Sequence, residues 1–154
     1  MCSSDLLLIA DEPSTALDVT VQAQVLDLLR NLQRQFGLAM ILITHDLGVI
    51  AEIADRVMVL YAGRIAESAP VRTIFNVATH PYTQALLRSI PDVSARQQRL
   101  VTIPGTVPDP LKMPFGCRFA PRCPRRRPSC EQATPALRIV APNHLVACFY
   151  AGSA

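Results

Sequence analysis

Asp11 and Glu12 stand side by side at the end of an apolar run, residues 6–10. An acid pair there could set one carboxylate on a divalent cation and the other beside a reacting water. The plain alternative is a core strand that runs into an acidic turn. His45 lies 33 residues after Glu12 and ends a second apolar run, residues 38–44. It reads either as a ligand-sensing imidazole or as a histidine capping a strand end. Farther on, Cys117, Cys123, Cys130 and Cys148 follow the spacing C-x5-C-x6-C-x17-C. Four thiols in a stretch poor in apolar side chains could organise it around a metal or cluster. Structural zinc sites use tighter C-x2–4-C pairs, whereas iron–sulfur clusters tolerate wider spacing. Four unliganded thiols are the third reading. Cys2 is far off in sequence and reads as incidental.

The elements that must position these residues follow from hydrophobic pattern and turn chemistry. Residues 6–10 read as a buried parallel strand that Pro13 stops, since it has no N–H for a ladder. The carboxyl ends of strands are where open α/β sheets bind ligands. Asp18 suits the N-cap of a helix with Val21, Val25, Leu28, Leu32 and Phe36 on one face, and Gly37 ends it. Residues 38–44 form a second strand, the turn at His45-Asp46 opens a short helix over 47–54, and Arg56–Tyr61 is a third strand. Ala62-Gly63 turns tightly into an antiparallel return over 64–67. This alternation indicates an α/β fold with parallel βαβ units. Helical pattern resumes after Pro70 over 71–75 and after Pro81 over 82–89. Residues 91–98 read as a polar linker, and regular structure is expected to be scarce beyond it.

At 154 residues there is room for one domain, or for a partial domain with an appendage. The net charge of +3 hides an asymmetry, −2 over residues 1–100 and +5 over 101–154, where nine of the thirteen prolines also lie. No apolar run approaches the roughly 18–20 residues of a membrane span. Residues 6–10 are too short for a signal-peptide core, so a cytoplasmic protein is expected. Five cysteines without a secretion signal favour metal or redox chemistry over a disulfide framework.

Asp11-Glu12-Pro13-Ser14-Thr15-Ala16-Leu17-Asp18 resembles the Walker B segment and D-loop of ABC-transporter ATPase domains. Ile41-Leu-Ile-Thr-His-Asp46 is similar to the family's H-switch strand, and Arg56–Ile65 to the strand pair after it. His80-Pro81-Tyr82 and the cysteine-rich tail resemble the C-terminal extension of the oligopeptide/dipeptide (peptide/nickel) importer branch. The resemblance implies that Asp11 would hold Mg²⁺ through water and Glu12 would orient or deprotonate the attacking water. His45 would contact the γ-phosphate. Phosphoryl transfer depends on positioning and charge neutralisation, which suits that division. Asp18 would be both the helix N-cap and a D-loop acid facing a partner subunit.

A phosphate cradle needs Gly-x-x-x-x-Gly-Lys-Ser/Thr. The single lysine, Lys112, has no glycine before it, and no Gly-rich loop occurs. The family's Leu-Ser-Gly-Gly-Gln signature, glutamine loop and adenine-stacking aromatic are also missing. In the family these precede the Walker B strand, so the chain reads as the C-terminal part of a longer protein. It is expected to bind ATP poorly and not to hydrolyse it by itself. The strand missing with them would lie between those ending at His45 and Tyr61, leaving two apolar edges.

The importer ATPases that the tail resembles can carry a 4Fe–4S cluster at cysteines like Cys117, Cys123, Cys130 and Cys148. Arg118, Arg122 and Arg125-Arg126-Arg127 could offset cluster charge, face lipid or permease, or form a solvated basic surface. Few aromatics are interleaved, so nucleic acid is not expected as a partner.

The expected organisation is a partial P-loop NTPase sheet with helices over 1–68, a helical connector over 69–98 and an irregular Cys/Pro-rich extension over 99–154. The expected function is that of an ATP-binding, ATP-hydrolysing subunit energising oligopeptide or dipeptide uptake, with ATP and Mg²⁺ as cofactors. Its expected partners are a homologous ATPase subunit and integral-membrane permeases. It would sit peripherally on the inner face of the membrane, without direct contact to the transported peptide. A non-enzymatic metal- or cluster-binding regulator is the alternative. A DNA-repair ATPase of the same superfamily is a further one, against which the His80-Pro81-Tyr82 segment and the cysteine tail speak.

Overall fold

An aspartate and a glycine set the ends of the longest helix. Asp18 accepts a hydrogen bond from the Val21 N–H at 2.9 Å, and Gly37 at φ 62° closes the other end, so α1 runs Val19–Phe36. The computed structural model describes residues 6–90 and 102–151. Cys2 and the expected 91–98 linker lie outside the described residues. The backbone groups into two units, Met1–Ile53 and Ala54–Ala154.

In the first unit, β1 (Leu7–Asp11) and β2 (Ala39–Ile43) pair in parallel, with Leu7 opposite Ala39 and Asp11 opposite Ile43. With α1 between them they make the expected βαβ unit. α2 (Leu47–Ile53) follows, capped by Asp46, which accepts from the N–H groups of Gly48 and Val49 at 2.8 and 3.2 Å. Two expectations need correction. β1 is not buried on both faces: Leu8 and Ala10 are half-buried, while Leu7 and Ile9 are exposed. Two strands and one long helix supply cover for one face only. The helix also turns a different face inward. Leu26 is its buried residue, whereas Leu28 and Phe36 are each 57% exposed. α1 carries apolar side chains on more than one side, so spacing alone did not decide which stripe packs.

In the second unit, β3 (Arg56–Tyr61), β4 (Arg64–Pro70), β5 (Arg138–Ala141) and β6 (His144–Val146) form an antiparallel sheet ordered β3-β4-β6-β5. The β3–β4 turn is Ala62-Gly63, both at positive φ, 47° and 77°, as a two-residue hairpin requires. α3 (Val71–Val77) and α4 (Pro81–Arg88) follow β4. Residues 102–151 are less irregular than expected. They contain α5 (Ser129–Gln132) and a β5–β6 hairpin turning at Pro142-Asn143, with Asn143 at φ 58°. β6 docks on β4, with Glu67 opposite Val146. A three-residue strand is too short to announce itself by alternation. The fold is mixed α/β, as expected, and its parallel pairing among the described residues is confined to β1–β2.

The core of this unit holds Ala69, Ile74, Phe119 and Val146. Tyr61, Tyr82 and Phe119 pack in tilted and edge-to-face pairs with ring centroids 4.6–5.4 Å apart, tying the end of β3 to α4 and to the tail.

Candidate functional site

Glu12 follows β1 and His45 follows β2 by two residues, so the parallel pairing carries both to the same sheet end. The Glu12 N–H donates to the Ile43 carbonyl at 2.8 Å, extending the ladder by one step. Glu12 itself sits at φ 45°, a left-handed conformation that non-glycine residues seldom adopt. His45 Nδ1 lies 3.0 Å from Glu12 Oε1, and the Thr15 hydroxyl donates to Oε2 at 2.7 Å. Each carboxylate oxygen thus has its own partner. The Thr15 bond first, and then the His45 bond, hold the Glu12 carboxyl below its ordinary pKa. The pair is open to solvent. Asp11 is exposed at the last position of β1, opposite Ile43.

An ionised carboxylate with one oxygen on a hydroxyl and one on an imidazole can align a water through its remaining lone pairs. Its lowered pKa makes it a weak base and a good orienter. Asp11, exposed beside it, offers a hard oxygen donor suited to Mg²⁺. Asp18 is placed as the helix cap.

Thr15 and Gln22 did not stand out in the sequence. Gln22 donates to Asp46 Oδ2 at 3.0 Å and is the first cause of that carboxyl's lowered pKa. The signal for Thr15 was its place three residues after Glu12, within reach of a turn.

The second candidate set lies in the other unit. Cys130 is buried on α5, and Cys117, Cys123 and Cys148 are half-buried; all four are free thiols. The Cys117 N–H donates to the Cys130 carbonyl at 2.7 Å. Burial chiefly raises the pKa of Cys117 and of Cys123, and the other thiols add to the rise. Among the described residues no three His, Cys, Asp or Glu side chains converge on a single ion-sized point. The set consists of four thiols without a carboxylate or imidazole. Cys117 lines a cavity of about 440 Å³ shared with Thr134 and Leu137.

Several arginines of the tail serve as internal staples. Arg118 donates to the Ala62 carbonyl, and Arg122 donates to the carbonyls of Pro104 and Ile103 at 2.9 and 2.8 Å. Arg127 lies over the Tyr150 ring at 4.2 Å.

A polar knot was missed by the sequence reading. Glu67 on β4 is fully buried and accepts from the N–H groups of Thr79 and His80 at 2.7 and 3.1 Å. Its Oε1 lies 2.7 Å from Nε2 of His144 on β6. His80 Nδ1 accepts from the Tyr82 N–H and caps α4, and burial pulls the His80 pKa down to about 4. The sequence signal was a lone glutamate among small residues in Ala66-Glu67-Ser68-Ala69.

Residues 66–130 match the family described as the oligopeptide/dipeptide transporter, C-terminal region. The chain is similar to peptide import ATP-binding proteins of Brucella. A relative in Brucella melitensis is 53% identical over 133 residues, covering 86% of this chain and 40% of the relative. Another, in Brucella ovis, is 53% identical over 144 residues, 90% of this chain and 43% of the relative. The chain therefore spans about two fifths of the length of the curated relatives it matches.

Proposed function

We propose that the chain, whose residues 66–130 match the family of oligopeptide/dipeptide transporter C-terminal regions, supplies the water-orienting half of an ATPase site that energises peptide import. The single observation carrying this reading is the Glu12–His45 contact at 3.0 Å, at the carboxyl ends of two parallel strands. Asp11 would hold Mg²⁺, Glu12 would align the attacking water, and His45 would keep Nε2 for the transferred phosphoryl group. Bound Mg²⁺–ATP supplies the electrophile and the charge neutralisation. The chain's own residues hold Glu12 ionised, through Thr15 and His45, and fix its direction. Asp18 would face a homologous ATPase subunit.

The phosphate cradle does not occur in this sequence, so hydrolysis is a property of a longer polypeptide that carries it. Such a protein would dock on integral-membrane permeases at the inner face of the membrane. No helix among the described residues is long and apolar enough to cross a membrane.

The four thiols favour a second role beside this one. Cys117, Cys123, Cys130 and Cys148 would ligate a thiophilic group, with a 4Fe–4S cluster the candidate that best suits their number and chemistry. That group would order a tail whose strands dock on β4.

The test is ATP hydrolysis by a chimera in which the part of a Brucella relative absent from this match precedes the chain. Glu12→Gln is expected to lower turnover on the order of 100-fold or more while nucleotide still binds. Unchanged turnover in that variant would overturn the reading.

A further inference from the structure

The cavity of about 440 Å³ opens where the start of β4 meets the loops on either side of α5. Its volume falls in the range of small-ligand sites, roughly 300–1,000 Å³. Ala66, His80 and Phe119 line it and are buried, so they form its floor. Ile65 and Leu137 add apolar wall nearer the solvent. The cavity is apolar at depth.

Its charge is of one sign. Arg64 and Arg118 line it, and among the described residues no carboxylate does. Both arginines come to one turn. Arg118 donates to the Ala62 carbonyl, its Nη1 would stand 3.2 Å from a Cβ on Gly63, and Arg64 is the next residue. Neither forms an ion pair within the described residues. His80 adds no charge at pH 7, because its Nδ1 accepts from the Tyr82 N–H and burial pulls its pKa down to about 4. Two guanidinium groups at one turn repel each other, and apolar surroundings screen that repulsion less than open water does. An anion bound there would relieve it. The planar guanidinium fork suits a carboxylate. Arg118 spends one N–H on Ala62, which leaves the rest of its fork for a ligand.

We infer that this cavity is a binding site for a small carboxylate with an apolar body, the carboxylate held by Arg64 and Arg118 and the body lying on Ala66 and Phe119. Nothing in it depends on Glu12 or His45, which belong to the other unit.

The probes are hexanoate, hexan-1-ol and acetate, titrated into the full chain and followed by methyl proton–carbon NMR. Hexanoate is expected to shift the Ile65, Ala66 and Leu137 methyl signals saturably, with the roughly millimolar affinity usual for so small a ligand. Leu7 and Ile9, exposed on β1, report indiscriminate apolar binding, and their signals are expected to stay in place. Hexan-1-ol, which lacks the charge, is expected to bind about fivefold more weakly or worse. Acetate, which lacks the body, is expected to lose about as much. Arg64→Gln removes one cation at an exposed position. It is expected to weaken hexanoate about fivefold or more and to leave hexan-1-ol unchanged. Equal binding of hexanoate and either other probe overturns the inference. So do equal hexanoate affinities in wild type and Arg64→Gln, shifts at Leu7 and Ile9 as large as those at Leu137, or no saturable shift at all.

Discussion

His45 Nδ1 lies 3.0 Å from Glu12 Oε1 although 33 residues separate them. β1 and β2 run in parallel with Asp11 opposite Ile43, so one residue past the first strand and two past the second end side by side. The contact is a product of register. A slip of one residue would turn one strand over against the other and part the pair.

The balance of the two hydrogen bonds on Glu12 is testable directly. Thr15→Ala is expected to raise the Glu12 pKa toward its ordinary value by more than His45→Ala does, because the Thr15 bond contributes the larger share. Carboxyl carbon chemical shifts followed through an acid titration measure both. A larger rise in His45→Ala would reverse the assigned order.

His80 makes stability depend on pH in a stated window. Its folded-state pKa of about 4 lies below the ordinary 6.5, so the unfolded chain takes up the proton first. Stability is full above pH 6.5 and is lost as pH falls toward 4, by about 3 kcal/mol in all. Urea unfolding at pH 7, 5.5 and 4.5, followed by tyrosine fluorescence, reads the slope. His80→Asn is expected to flatten it, since an amide oxygen can keep the cap without titrating.

Glu67 is fully buried and has three donors. Glu67→Ala is expected to cost about 3–5 kcal/mol, because the buried imidazole and two N–H groups lose their acceptor together. Glu67→Gln should cost less, as one amide oxygen can still accept. A loss under 1 kcal/mol for the alanine variant, by urea unfolding, would show that water enters and takes the carboxylate's place.

The thiols predict a pH-dependent reactivity. Burial raises Cys117 and Cys123, so both hold their protons at neutral pH. Alkylation proceeds through the thiolate, so its rate at these two should climb by up to about tenfold per pH unit between 7 and 9. A rate already flat from pH 7 would mean that burial does not hold the protons.

Much of this was readable from residue types. Asp18, Gly37 and the turn at Ala62-Gly63 announce themselves because each has one local task that few residues can perform. Arg56–Tyr61 stood out as a strand for the same reason, an apolar run between an acidic residue and a turn. Glu12 and His45 were found by position after apolar runs, and their contact follows once the strands pair. What was hidden depends on distance. The inward face of α1 could not be chosen while Val21, Leu26 and Leu28 all offered apolar surface. The β5–β6 hairpin carries too few residues to signal a period. Glu67 is legible only with His144 beside it, and nothing local links the two.

β4 and β6 meet through a carboxylate and an imidazole 77 positions apart. A chain leaving the ribosome therefore exposes β4 long before its sheet neighbour exists, and a buried-to-be Glu67 waits in water meanwhile. Loop closure over that span is slow next to local hairpin formation. The β3–β4 hairpin can form at once, but its second edge stays open until β6 is made. In a crowded cell that interval is an opportunity for chaperones, and a hazard of mispairing with other nascent strands.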